Sequence, residues 1–470
     1  MLISLTQYDQ AHIEADICLI GAGAAGITLA RELSSSNRKV VLLESGGLQF
    51  EQPIQDLYKG VGKGVDASYL HLTRLRYFGG TTNHWAGFCR PLDSRDFDEW
   101  PFGYQELVPY IQRAAALLGI HDPTHPEAIL AHYRDRNPDP WEIQTDNFKT
   151  LLFQRKALNF GREFRAELES QPNLQVFTHA TVTRLEFSGQ GRLDAVQAST
   201  LAGKALHIKA GYFVLACGGI ENARILLNSD AVSQDRSGKL GKGFSDHPYA
   251  ISAEFIVPSR VLEGKSLIHW SSIGSRAAGF EEEVKLVVAP RETATAAKWP
   301  NFYLMLDRVP FTSPLKAGLG TLIQDPAIGQ SFRVTAVMEA DWSESNRVSL
   351  VDTRDALGTP QVQLDWAYQD REKVATILQH FSREVSWNFG GRCRVDPFDN
   401  PALGNHHIGT TCIGKSPTDS VVDINCKVHS AANLYVAGSS VFRSSGASNP
   451  TLTIIALAMR LADHLKRINP

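Results

Sequence analysis

Cysteine is sparse in this sequence. Six residues, Cys18, Cys89, Cys217, Cys393, Cys412 and Cys426, are spread over 470 positions, and no two form a C-x-x-C pair. That pattern argues against a disulfide framework or a zinc site and leaves reduced, packed thiols as the expectation. No cluster of histidines with acids or cysteines calls for a metal either. There is no basic block and no interleaving of aromatic with basic residues, and the formal charge is only −3. Neither nucleic acid nor an anionic membrane is therefore expected as a partner. No apolar run approaches the ~20 residues of a membrane span. The first residues, Met1 to Gln10, lack a basic start, a long apolar core and a twin arginine, so no export signal is expected. These absences together predict a soluble, cytoplasmic protein.

What is present is an ordinary globular composition, 43% hydrophobic and 21% charged, in a chain longer than one core usually supports. Residues 15–47 read as a βαβ unit. A strand, Ala15 to Ile20, enters Gly21-Ala22-Gly23-Ala24-Ala25-Gly26; a helix, Ala25 to Leu33, follows; a second strand runs from Lys39 to Glu44. The three glycines have separate uses: a tight turn, close backbone approach to a pyrophosphate, and helix-on-strand packing. The helix N-terminus offers free N–H groups to the phosphates. Glu44, 18 residues past Gly26, stands where a carboxylate binds ribose hydroxyls.

Further along, Leu107, Tyr110, Ile111, Ala114 and Leu117 repeat with helical spacing. Strands are expected at Leu174–Thr178, Thr181–Phe187, Ala195–Ser199, Lys204–Ala210 and Tyr212–Ala216, then Gly218-Gly219 and a helix from Glu221 to Leu227. Short alternating runs over residues 250–365 predict an antiparallel sheet. Helices are expected from Asp370 to Trp387 and from Thr451 to Leu465, with Pro450 suited to a first helical turn.

Four motifs then stand in order. They are the glycine turn; Arg74-Leu75-Arg76-Tyr77-Phe78-Gly79-Gly80-Thr81-Thr82-Asn83-His84-Trp85; Val214-Leu215-Ala216-Cys217-Gly218-Gly219-Ile220-Glu221-Asn222; and the C-terminal set His406-His407-Ile408-Gly409-Thr410, Ala437-Gly438-Ser439 and Ser448-Asn449-Pro450-Thr451. With them the chain resembles the glucose-methanol-choline (GMC) oxidoreductase superfamily, most closely its pyranose oxidase and bacterial sugar dehydrogenase branch. The resemblance runs with gaps from about residue 15 to 465 and is thin in the middle.

The resemblance implies an α/β plus α+β chain: a discontinuous Rossmann-like FAD-binding domain and a substrate domain built on an antiparallel sheet with helices. Residues 12–100, 174–249 and 400–470 would form the FAD-binding domain, and 101–173 and 250–399 the substrate domain. FAD would be held by Gly21, Gly23, Gly26 and Glu44, by Gly79, Gly80, Thr81 and Thr82, by the backbone of Val182, and by Gly438, Ser439, Pro450 and Thr451. His84 falls where pyranose oxidase carries its flavin-linked histidine. A covalent link there is weighed against a histidine that merely packs near the ring, and the second is preferred.

A histidine three residues before a Gly-Thr pair is the family's base, which selects His406 over His407. Imidazole suits the task because its pKa lies near neutrality. Asn449 takes the second position, orienting the same hydroxyl, and His247 in Ser245-Asp246-His247-Pro248 reads as a turn supporting the sheet. The implied reaction is oxidation of a CH–OH group, of a sugar or glycoside, to a carbonyl. The alternatives are a non-sugar alcohol or lyase-type chemistry on the same fold. The electron acceptor stays open between oxygen and a quinone or protein.

Overall fold

The computed structural model describes residues 1–66, 68–188, 191–229, 235–267, 283–309 and 329–468. Parts of the expected 250–399 segment thus lie outside the described residues, as do the last two positions. Two large sheets organise the rest. The first runs in the order Leu2–Ser4, Leu174–Thr178, Val40–Leu43, His12–Ile20, Ala205–Leu215, Leu193–Ser199, Thr181–Phe187, with Leu434–Val436 added beside Ala205–Leu215. Its central pairs are parallel and the last two antiparallel. A run such as Val40-Val41-Leu42-Leu43, apolar at every position, fits only a strand covered on both faces, and all four residues are buried. Two expected strands, Lys204–Ala210 and Tyr212–Ala216, prove to be one, Ala205–Leu215. Gly211 interrupts the side-chain pattern, but pairing with His12–Ile20 continues on both sides of it.

The second sheet is antiparallel: Arg392–Val395, Pro248–Pro258, Gly329–Met338, Phe302–Arg308, Glu283–Val288, Lys149–Arg155, Phe88–Cys89, with Ala402–Leu403 beside Pro248–Pro258. Its faces separate by residue parity. Phe302, Leu304, Leu306, Phe332, Val334 and Ala336 point to a core shared with Ile377, Leu378 and Phe381 of helix Arg371–Phe389. Tyr303, Met305, Val337, Leu286, Leu151 and Phe153 point the other way, into a separate cluster. Tyr249 is odd-numbered like Phe255 yet joins that second face, because the strand bulges between Ile251 and Ala253. A bulge shifts the side-chain alternation by one and re-aims what precedes it.

The chain crosses between the two halves more often than the domain bounds implied by the resemblance allow. Residues 101–173 do not all belong with the antiparallel sheet. Helix Tyr104–Leu118 buries Leu107, Ile111, Ala114 and Leu118 in the core of the first sheet. Arg460 of helix Thr451–Arg467 pairs with Glu106 at 2.6 Å. Lys149–Arg155 joins the second sheet, and Phe160, Phe164 and Leu168 return to the first core. Phe88–Cys89, from the segment assigned to the first domain, pairs with Lys149–Arg155. Helical spacing marks a buried face but not the core that buries it.

The 74–85 motif is fixed by charge. Glu221, in the first turn of helix Gly218–Leu227, lies 2.7 Å from Arg76, 3.3 Å from Arg74 and 3.2 Å from Arg224, all buried. Although burial opposes its ionisation, these guanidinium groups hold its carboxyl well below the usual range. Removing one partner from such a cluster leaves an uncompensated buried charge, which costs about 3–5 kcal/mol. The cluster docks the glycine run at 79–80 against the first βαβ unit, where Gly79 N–H donates to Ala22 O at 2.9 Å.

Candidate active site

One cavity of about 490 Å³ runs between the sheets. Its wall includes the turn Gly21 to Ala25, Glu44, Gly80, Thr81, Thr82, His84, Val182, and Cys217 to Gly219. The three glycines of the turn behave differently. Gly21 has φ +101°, and a Cβ there would meet Ala216 O at 2.7 Å. A Cβ on Gly26 would lie 1.8 Å from Gly21 O, so helix and strand touch there. Gly26 is not part of the cavity wall. A Cβ on Gly23 would meet nothing within 4 Å, although the backbone (φ −85°, ψ −166°) suits any residue. Only what fills the cavity could object to a side chain at Gly23. Helix Ala24–Ser34 begins there without a side-chain cap.

Glu44 ends buried beside this turn. Its oxygens accept from Ala22 N–H at 2.9 Å and Gly46 N–H at 3.0 Å. Burial still moves its pKa upward against those bonds and Arg76. Gly79, expected at the cofactor, sits behind the wall: its φ is +98°, and a Cβ would strike Gly161 N at 2.9 Å. Strand Thr181–Phe187 shifts register between Val182 and Arg184, beside the cavity. Gly438 and Ser439 line the cavity too, but the Ser439 hydroxyl donates to His407 O at 2.6 Å.

The same cavity is lined by His406, His407, Asn449, Pro450, Thr451 and Ile454, and His407 O stands against Gly219, where a Cβ would meet it at 2.1 Å. His406 Nε2 lies 3.0 Å from Asn449 Nδ2, and its Nδ1 lies 2.7 Å from His247 Nδ1. His247, expected to serve only as a turn, therefore contacts the base candidate directly, and its Nε2 reaches Ser445 O at 3.2 Å. Asp246 anchors the arrangement, accepting from the backbone N–H of His247 at 2.6 Å and of His406 at 2.9 Å. The hydroxyl of Tyr69 donates to its other oxygen. Burial raises the Asp246 pKa to about 6. Burial, with His247 and His407 adding to it, pulls His406 well below its ordinary value, which keeps it neutral.

His407 turns the opposite way. Its Nε2 is 3.1 Å from Thr73 Oγ1, its ring packs edge-on against Tyr69, and burial lowers its pKa to about 3. Asn449 Oδ1 is buried without a hydrogen-bond partner. Phe88, Tyr249, Tyr303, Met305 and Val337 of the second sheet also line the cavity. Sequence reasoning missed Asp246, Tyr69 and these wall residues. Only the Asp246-His247-Pro248 run carried a signal.

Family models of GMC oxidoreductases match this chain in two stretches, the N-terminal model over residues 162–249 and the C-terminal one over 343–458. The chain belongs to the GMC oxidoreductases. FAD is the cofactor of this family. The fructose dehydrogenase large subunit of Gluconobacter japonicus is 23% identical, over 96% of this chain and 97% of its own. The pyranose 2-oxidase of Tricholoma matsutake is 24% identical, over 83% of this chain and 72% of its own. Formate oxidase of Aspergillus oryzae RIB40 shares the fold, with a TM-score of 0.60 at 18% identity, over 98% of this chain and 99% of that one.

The GMC oxidoreductase described here has features that suit a dinucleotide with a reactive ring at its far end. They are the open space over Gly23, the uncapped helix beside it, and the unpartnered Asn449 Oδ1 on the wall of the same cavity. Among the described residues no helix is long and apolar enough to cross a membrane.

Proposed function

We propose that this enzyme oxidises a CH–OH group of a sugar or glycoside to a carbonyl, with His406 as the base. FAD, when bound, supplies the acceptor for the hydride. Gly21, Gly23, Glu44, Gly80, Thr81, Thr82, Val182, Gly438, Pro450 and Thr451 would hold it; Gly26 and Gly79 serve by packing the turns that do. The observation that carries the reading is the His406–Asn449 contact at 3.0 Å on the wall of the same cavity as the glycine turn. A substrate hydroxyl entering there accepts from Asn449 Nδ2 and gives its proton to His406 Nε2. Because His406 is held neutral, Nε2 keeps its lone pair at neutral pH, and the entering hydroxyl takes over the hydrogen bond that Asn449 Nδ2 now makes to it.

The part of the cavity wall that the second sheet supplies favours a neutral ring over a charged substrate. Tyr249, Val337 and Tyr303 face one another across three adjacent strands, and Met305 follows on the same face. Such a wall can pack against the C–H face of a sugar ring, with tyrosine hydroxyls near its edge. An anaerobic panel of sugars, glycosides and simple alcohols tests the reading. Sugars or glycosides should bleach the yellow protein fastest. Fastest bleaching by simple alcohols overturns the sugar assignment, and turnover without any bleaching overturns alcohol oxidation in favour of lyase-type chemistry.

His84 lies exposed on the cavity wall. Acid precipitation of the purified protein should release FAD into the supernatant, as a packing role for His84 requires. Yellow colour retained in the pellet would establish the covalent link instead.

A further inference from the structure

We propose that His247 is a positioning residue that fixes the tautomer of His406, so that the lone pair of the base faces the substrate. The proposal rests on His406 being the base, and it follows from hydrogen bonds read in one direction. Ser445 O is a carbonyl and can only accept, so the proton of His247 sits on Nε2, 3.2 Å away. Burial, lowering the His247 pKa to about 4, keeps that ring neutral with a single N–H. Its Nδ1 is then an acceptor. The facing Nδ1 of His406, at 2.7 Å, must be the donor, because two lone pairs cannot bond. His406 therefore carries its proton on Nδ1 and its lone pair on Nε2, toward Asn449 and the cavity.

The chain of contacts closes on itself. Ser445, which starts it, and Asn449, which ends it, belong to one short loop. That loop is fastened to the second sheet, where Gly446 N–H donates to Glu339 at 2.9 Å. The backbones of both histidines hang on one carboxylate oxygen of Asp246. Displacing His247 thus frees the ring of His406 to rotate or to move its proton to Nε2, where it can no longer accept. After His406 takes the substrate proton on Nε2, its Nδ1–H still donates to His247. Ser445 O cannot take up a proton, so the charge stays on the two rings.

Two variants of near-identical shape separate this role from packing. His247→Asn can present Oδ1 close to where the imidazole presents Nδ1; His247→Leu presents no acceptor. With FAD content and substrate affinity matched, His247→Leu should slow anaerobic bleaching by roughly 10- to 100-fold, the scale of losing a partner that orients a histidine. His247→Asn should recover most of that rate. Leucine as good as asparagine would leave only a packing role and overturn the proposal. Should the leucine variant fail to fold, nitrogen-15 NMR of histidine-labelled wild-type holoenzyme decides the matter. A His406 signal protonated on Nδ1 supports the proposal, and one protonated on Nε2 overturns it. The NMR result stands whether or not His406 is the base, which its own alanine variant tests separately.

Discussion

His406→Ala should leave the fold and the bound FAD intact and slow anaerobic bleaching by substrate about 10²–10⁴-fold, the usual scale for loss of a general base. Among the described residues the side chain belongs to no apolar core cluster, and its ring is hydrogen-bonded to His247 and Asn449. Truncation therefore removes the proton acceptor without opening a core. His407→Ala provides the contrast. That ring is packed among Thr73, Tyr69 and Phe244, behind the loop, and its backbone carbonyl, which the substitution leaves in place, holds Ser439. Its loss should lower thermal stability while changing the bleaching rate far less. Stopped-flow mixing, with FAD content fixed by absorbance beforehand, checks both variants. If His407→Ala proved the slower enzyme, the base would have been assigned to the wrong member of the pair.

Gly23→Val should give a soluble, folded protein without FAD, and Gly26→Val a protein that does not fold. The two glycines stand in one turn, three residues apart, and an added side chain meets opposite fates at them. At Gly26 the first carbon would be driven to 1.8 Å from Gly21 O, and neither the strand nor the helix can yield that far. At Gly23 the backbone conformation is ordinary and the space empty, so the side chain displaces only the cofactor. Circular dichroism melts and the flavin absorbance per chain separate the outcomes. A soluble Gly23→Val protein with a full complement of FAD would sink the assignment of this turn.

Much of the architecture is written locally. The βαβ unit appears with every expected end within one residue except the first, where the strand starts three residues early at His12, because strand, turn and helix each depend on side chains a few positions apart. Strands Leu174–Thr178 and Thr181–Phe187 and the helix starting at Thr451 fall where their patterns place them. Helix Tyr104–Leu118 shows the limit. Its apolar stripe is plain, yet the partner it covers, Thr451–Arg467, comes more than 300 residues later, and no local pattern encodes that choice (on the order of the 354 residues separating Glu106 from Arg460).

By itself the sequence determined the glycine turn and the order of the motifs, because each lies in a short run; His406 and Asn449 it only nominated, through the resemblance those runs carry. Tertiary structure alone decided what surrounds that pair. His247 lies 159 residues from His406 in the chain and meets it ring to ring. Tyr69 lies 177 residues from Asp246 and donates to its carboxylate. Tyr249 faces the cavity only because a bulge two residues on reverses the strand's alternation. Hydrogen-bond direction depends on which atom faces which, so the tautomer proposed for His406 rests on the contacts among Ser445 O, His247 and His406 that folding makes. Spacing along a chain can nominate a base; the side on which it keeps its proton is set by neighbours that folding brings from elsewhere.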